Sequence, residues 1–193
     1  MSAPQRLNCD FFARPVETVA RELLGKNLHF GACSGRIVET EAYHESEPSC
    51  HAWQGKKTPR NRPMFAEPGT VYIYRIHQVF CLNLVCEAPG TGAAVLIRAL
   101  EPLQGIAEMR QRRGEKVKDR DLANGPGKLC QALSLDLDQN GVSACLPSSR
   151  LYLSESLFSY SEAEIQITPR IGISKAQEIP WRFFVPPTSR AFP

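Results

Sequence analysis

The sequence predicts an α+β fold, and three observations carry that prediction. Strand-like and helix-like segments are mixed without the strand–helix–strand rhythm of a parallel sheet. Between residues 70 and 100, three strand patterns follow one another across connections short enough for antiparallel hairpins. No internal repeat or low-complexity linker divides the chain, so the 193 residues are read as a single domain, 1–193, with a Pro-rich tail from about Pro186. A chain of this length can bury roughly 70% of its unfolded surface in one core, without a disulfide or metal as a staple.

The elements follow from local pattern. Val16, Val19, Ala20, Leu23 and Leu24 recur at helical spacing, Pro15 suits a first turn and Gly25 a stop, so a helix is expected over 15–24. Residues 35–43 alternate as a strand, with Ile37, Glu39, Glu41 and Tyr43 on one face and Val38, Thr40 and Ala42 on the other. A polar, basic loop covers 44–69. Strands are expected over 70–76 and 79–86, with His77 and Gln78 as a tight tip, and over 93–100 after the turn Pro89-Gly90-Thr91-Gly92. Residues 103–113 and 128–135 read as helices, and 164–173 and 181–185 as late strands.

Composition narrows the class. Apolar residues make up 42% of the chain and charged residues 22%, which suits a globular protein rather than a disordered one. No apolar run approaches the ~18 residues of a membrane span, and the first residues lack a signal-peptide core. The seven cysteines form no CxxC pair, so they are read as reduced, mostly buried thiols of an intracellular protein, and a zinc site is not expected. Net charge is only +3, but residues 49–66 hold Lys56, Lys57, Arg60 and Arg62 with no acid. Residues 110–120 hold six bases (Arg110, Arg112, Arg113, Lys116, Lys118 and Arg120) against Glu115 and Asp119, and residues 39–47 hold four glutamates. Basic stretches suit a polyanion, and they equally suit ordinary solvated loops.

Several side chains look chemical. Glu39 and Glu41 share a strand face beside Tyr43 at a spacing of about 7 Å, which is costly unless a cation or a cleft receives them. Arg98, read as sharing a strand face with Leu96 and Leu100, is a candidate partner, either as a structural ion pair or in jointly holding a water molecule. Tyr43, His51, Trp53, Tyr72, Tyr74 and His77 are either core rings or the walls of a slot for a planar base. Asn83, inside an apolar strand, is a satisfied core amide or a reader of a base edge. The helix start Asn124-Gly125-Pro126-Gly127-Lys128 could receive a phosphate, but its spacing is not that of a Walker A loop.

These residues coincide with a known pattern. Gly35–Tyr43 (GRIVETEAY), Thr58–Arg62 (TPRNR), Met64-Phe65, Pro68-Gly69-Thr70, Cys81-Leu82-Asn83, Leu96–Pro102 (LIRALEP) and Gly125–Leu133 (GPGKLCQAL) together resemble the signature of the 3-methyladenine DNA glycosylases of the alkyladenine (mammalian) type. The blocks occur in family order across about residues 16–173. The resemblance implies a single α+β domain with a curved antiparallel sheet flanked by helices. It implies a monofunctional glycosylase that flips a damaged purine from duplex DNA and hydrolyses its N-glycosidic bond, starting base-excision repair. No cofactor or metal is implied. Glu41 corresponds to the acidic catalytic residue that activates a water, and Arg98 to the residue that helps hold it. Tyr43, His51 and Tyr74 correspond to the rings around the flipped base, and Asn83 to a residue thought to exclude guanine. Arg62 and Lys128 are candidate phosphate contacts.

One departure stands out. Where the family usually carries Tyr-Gly-Met-Tyr at the hairpin tip, this chain has His77-Gln78-Val79, one residue shorter. His77 takes the position of the ring that plugs the gap in the duplex, and it is expected to plug it less fully. The expected partner is double-stranded DNA with a damaged purine, bound by a monomer with no membrane association. The expected location is the cytoplasm with use at the nucleoid, or the nucleus if the source is eukaryotic. The sequence leaves open the preference among 3-methyladenine, 7-methylguanine, hypoxanthine and etheno-adenine. Two other classes stay in view: a lesion binder without catalysis, which Glu41 and Arg98 together disfavour, and a carbohydrate O-glycosidase, which the basic loops disfavour.

Overall fold

In the computed structural model, which describes residues 5–186, the chain forms an antiparallel sheet with four α-helices. The Pro-rich tail lies almost wholly outside the described residues. Helix α1 spans Cys9–Phe12 and is capped by the Asn8 side chain, which accepts from the Phe11 N–H. Helix α2 spans Val16–Glu22 and buries the predicted Val16, Val19 and Ala20, with Gly25 in the left-handed region at φ +86° shortly after its end.

Strand β1 is Asn27–Phe30 and β2 is Cys33–His44; β3 (Val71–Ile76), β4 (Val79–Val85) and β5 (Ala93–Gln104) form the predicted meander. Helices α3 (Ile106–Arg113) and α4 (Pro126–Leu133) follow, then β6 (Leu151–Ser154), β7 (Gln166–Thr168) and β8 (Arg182–Phe184). The sheet order is β3-β4-β5-β2-β1-β6, with β8 pairing both β2 and β7. Strand β2 is thus the axis of the sheet: β5 runs along one edge, while β1 and β8 divide the other.

The sheet carries different apolar clusters on its two sides. The main core includes Phe12, Val16, Val19, Ile37, Leu82, Ile97 and Leu129. A smaller cluster joins Cys50, Ala52 and Met64 of the long loop to Tyr72, Val85 and Ala94, with Tyr43, Phe65 and Tyr74 at its margin. Of the outer strands, β3 and β6 are partly covered. The N–H of Val71 donates to the Val142 carbonyl and that of Ile73 to Asn140 Oδ1, while Leu7 N–H donates to Leu153 O beside β6. Such cover shortens the open ladders that would invite another strand.

Three sequence expectations need correction. Residues 103 and 104 extend β5 instead of starting α3, because Gly105 turns the chain at φ +71° before the helix. The late strand expected over 164–173 is confined to Gln166–Thr168. The pairing of β2 with β5 is irregular between Ile37 and Thr40, which shifts faces. Ile37 and Leu100 enter the main core, while Val38 and Ala99 form a separate small cluster. Ile37 therefore does not share a face with Glu39 and Glu41, nor Arg98 with Leu100. A bulge lets the polar stretch turn away from the core that a strict alternation would force on it.

Candidate active site

Beyond the bulge, Glu41 and Tyr43 leave β2 on the side opposite the main core, while Thr40 points back and donates its hydroxyl to the Ala20 carbonyl of α2 at 2.7 Å. Glu41 is fully buried, but its surroundings are polar. The Tyr43 hydroxyl donates to its Oε2 at 2.8 Å and Arg98 Nη1 donates to the same oxygen at 3.2 Å. The Ile171 backbone N–H donates to Oε1 at 2.8 Å. All three contacts are donors, the complement that a carboxylate accepts.

Arg98 joins the two glutamates, since its Nε also donates to Glu39 Oε1 at 3.0 Å. Arg182 Nε donates to that same Glu39 oxygen at 2.6 Å. Burial works against charge on Arg98, but the carboxylates of Glu41 and Glu39 outweigh it and push its pKa up. Burial and then the neighbouring Glu41 raise the Tyr43 pKa, so its phenol stays protonated and remains a donor.

Tyr43 and Arg98 also line a cleft of about 450 Å³. Its floor follows from strand alternation: Tyr72, Tyr74 and Ile76 of β3 are paired with Asn83, Cys81 and Val79 of β4. Directly opposite residues on antiparallel strands share a face, so this tyrosine stripe and Asn83 lie together. Asn83 is buried, and its Nδ2 donates to the carbonyls of Tyr72 and Cys81 at 3.0 and 3.3 Å, which leaves Oδ1 as its remaining polar atom. His51 stands edge-on to Tyr74, with ring centres 4.6 Å apart, and its Nδ1 is 2.9 Å from the Tyr72 hydroxyl. Burial, then Arg60, lowers the His51 pKa, so its ring is neutral near pH 7. The opposite rim is the segment after β7, where Ile171, Gly172, Ile173, Ser174 and Lys175 border the cleft.

The long loop is held by Asn61, whose side chain accepts from the Thr58 N–H and donates to the carbonyls of His51 and Lys56 at 2.7 and 2.8 Å. This arrangement ties His51 to the basic segment. Lys56, Lys57, Arg60 and Arg62 make no ion pair among the described residues. The second basic stretch behaves differently. Arg112 and Arg113 donate to Ala132 O and Gln131 Oε1 of α4, and Arg110 pairs with Asp119. Lys128, exposed on the first turn of α4, donates to Asn124 Oδ1. His77 sits at the exposed hairpin tip in the left-handed region at φ +51°.

The structure thus brings Glu41, Arg98, Tyr43, His51, Tyr74 and Asn83 to one place, with His77, Arg62 and Lys128 exposed on elements that border it. Sequence reasoning missed Arg170, which is buried on the segment between β7 and β8. Its Nη1 donates to Glu47 Oε1 at 2.7 Å and to Ala42 O at 2.8 Å. Burial would raise the Glu47 pKa, but its hydrogen bonds from Arg170 and Ser49 bring it down. The glutamate cluster in 39–47 was the available signal that buried cations must come from elsewhere in the chain. Among the described residues, no group of three or more His, Cys, Asp or Glu side chains is placed to hold a metal ion, and no helix is long and apolar enough to cross a membrane.

A buried carboxylate behind an aromatic slot, beside surface cations, suits an enzyme that handles a planar group on a polyanion. Comparison with known proteins defines the class as the DNA glycosylases, hydrolases of N-glycosyl bonds that act in repair of alkylation damage. The chain belongs to the methylpurine-DNA glycosylase family, whose sequence model matches residues 10–189. A protein of Rhodopseudomonas palustris (strain CGA009), provisionally named a 3-methyladenine DNA glycosylase, is 47% identical over 174 residues, covering 90% of this chain and 81% of its own. A similarly named protein of Nitrosospira multiformis is 44% identical over 184 residues, covering 95% and 90%. One of Bradyrhizobium diazoefficiens is 45% identical over 177 residues, covering 91% and 84%.

Proposed function

We propose that this chain acts as one domain and as a monomer on duplex DNA, everts a damaged purine into the cleft, and hydrolyses its N-glycosidic bond with a water activated by Glu41. The observation that carries the reading is the Glu41 carboxylate, which shares Tyr43 and Arg98 with the wall of an aromatic cleft. A base between Tyr43 on one side and Tyr74 with His51 on the other would have rings against its faces, and its sugar would lie toward Glu41. Neutral His51 can accept from Tyr72 at Nδ1 and offer Nε2–H to the sugar-phosphate.

As the C1′–N bond breaks, its electron pair leaves with the base and positive charge grows on the sugar. The water oxygen bonds to C1′, and its proton passes to Glu41. A carboxylate has about four acceptor sites, and the one left by the three donors is on Oε1, which accepts only from the Ile171 amide. A water would donate there, on the side of Ile171, which is about half exposed. Asn83 reads the base edge, His77 enters the duplex, and Arg62 and Lys128 contact phosphate. Work at the nucleoid fits these roles.

The names of the bacterial relatives support 3-methyladenine as a substrate. Incubation with duplexes that each contain one lesion, followed by chromatography of free base, tests the reading. Release of 3-methyladenine with an abasic site left in the strand is expected. Tight lesion binding with no release of any base would favour a non-catalytic binder.

A further inference from the structure

Both tyrosine walls of the cleft carry a guanidinium on a ring face. Arg170 lies 4.6 Å from the centre of the Tyr43 ring and Arg60 lies 5.1 Å from that of Tyr74. Neither arginine borders the cleft, whereas both tyrosines do. The guanidiniums therefore stand behind the walls, and a bound base would meet the opposite ring faces.

Arg170 is incompletely compensated. Its side chain is fully enclosed, and Glu47 and Ala42 O receive only Nη1. Its Nε and Nη2 are buried without a hydrogen-bond partner. Arg60 donates to the Arg75 carbonyl and has no carboxylate partner among the described residues. A ring face attracts cations through its π electrons. A guanidinium on one face draws on that attraction, and its own charge repels a second cation roughly 8 Å away across the ring.

We propose that Arg170 and Arg60, acting through Tyr43 and Tyr74, bias the cleft toward uncharged purines over purines that carry a fixed positive charge. The inference rests on the glycosylase reading above. In DNA, a purine alkylated at N3 or N7 has such a charge, whereas hypoxanthine has none. The arginines touch neither base. They set the field at the walls, and Glu47 moderates the contribution of Arg170.

Single-turnover release of 7-methylguanine and of hypoxanthine from matched duplexes tests this, read as the ratio of the two rates. Arg60→Met and Arg170→Met are each expected to raise the ratio of charged to neutral base release by about threefold to tenfold. Arg170→Lys keeps the charge and is expected to stay within about twofold of the parent. Glu47→Gln removes the moderating anion and is expected to lower the ratio. A purely structural role would slow both lesions in step, and an unchanged ratio in Arg60→Met and Glu47→Gln overturns the proposal. Should Arg170→Met not fold, the exposed Arg60→Met variant and Glu47→Gln still decide it. A parent protein that releases neither base overturns the glycosylase reading and this inference with it, whereas release of both at a constant ratio overturns only this inference.

Discussion

Tyr43 has two tasks, since its ring borders the cleft and its hydroxyl donates to Glu41. Tyr43→Phe separates them. It keeps the ring and removes a hydrogen bond to a charged group, a contact of about 1.5–3 kcal/mol. We predict that it lowers kcat for base release by about tenfold to a hundredfold with little change in KM, and steady-state kinetics would show this. Equal loss in Tyr43→Phe and Tyr43→Ala would mean that the hydroxyl alone matters. Arg170→Ala would leave Glu47 buried without its cation, so a loss of about 3–5 kcal/mol in urea unfolding is expected. Glu41, Tyr43 and Arg98 were legible because two glutamates on one strand face demand an explanation. Arg170 was not, because its burial depends on a loop that packs beneath Tyr43, and nothing local in Thr168-Pro169-Arg170-Ile171 signals that contact.

At the scale of elements, the β3–β4 hairpin brings together the tyrosine stripe, Asn83 and the candidate duplex plug. Its alternation and its two-residue tip were readable because one face has to be apolar and the turn is short. The seat of the hairpin was not readable. A Cβ placed on Gly127 of α4 would meet Val79 Cβ at 2.8 Å, so the helix and the hairpin tip pack at glycine distance. Gly127→Ala is expected to cost about 1–3 kcal/mol by overpacking and to displace the tip. Its cleavage of duplex substrate should fall more than that of single-stranded substrate. His77→Ala should likewise weaken release from duplex while sparing single strands, and unchanged affinity and turnover would remove His77 from the flipping step. The short strands β1 and β6 escaped sequence reading, because four residues each give too few alternations to count. The bulge in β2 escaped too, since an extra residue in a ladder leaves no periodic trace.

Across the whole molecule, charge divides by use rather than by sequence block. Among the described residues the bases at 56–62 make no ion pair, whereas Arg112 and Arg113 fasten α3 to α4. Composition could locate both blocks but could not distinguish them, because the distinction lies in tertiary partners. Each phosphate contact contributes a slope of about 0.9 in log affinity against log salt. Arg62→Ala and Lys128→Ala should each reduce that slope by about one, and Arg113→Gln should leave it unchanged. Protonation acts globally as well. Burial lowers the pKa of both His29 and His51 from 6.5, with Arg6 and Arg60 adding to the effect. Between those lowered values and 6.5 the unfolded chain binds protons that the folded chain does not. Stability is therefore retained above about pH 6.5 and falls as pH drops below it. The urea midpoint should be lower at about pH 5.5 than at about pH 7.5, and replacing both histidines with glutamine should flatten that dependence. A midpoint that rises on acidification would contradict it.

The most direct measurement is single-turnover release of 3-methyladenine from a duplex by the parent protein and by Glu41→Gln, a near-isosteric change whose amide oxygen can still accept from Tyr43 and Arg98 but which loses the acceptor facing the Ile171 N–H and cannot take a proton from water. Base release slowed by about 10²–10⁴-fold, with duplex affinity preserved, is the predicted result. Release at the parental rate would contradict the account.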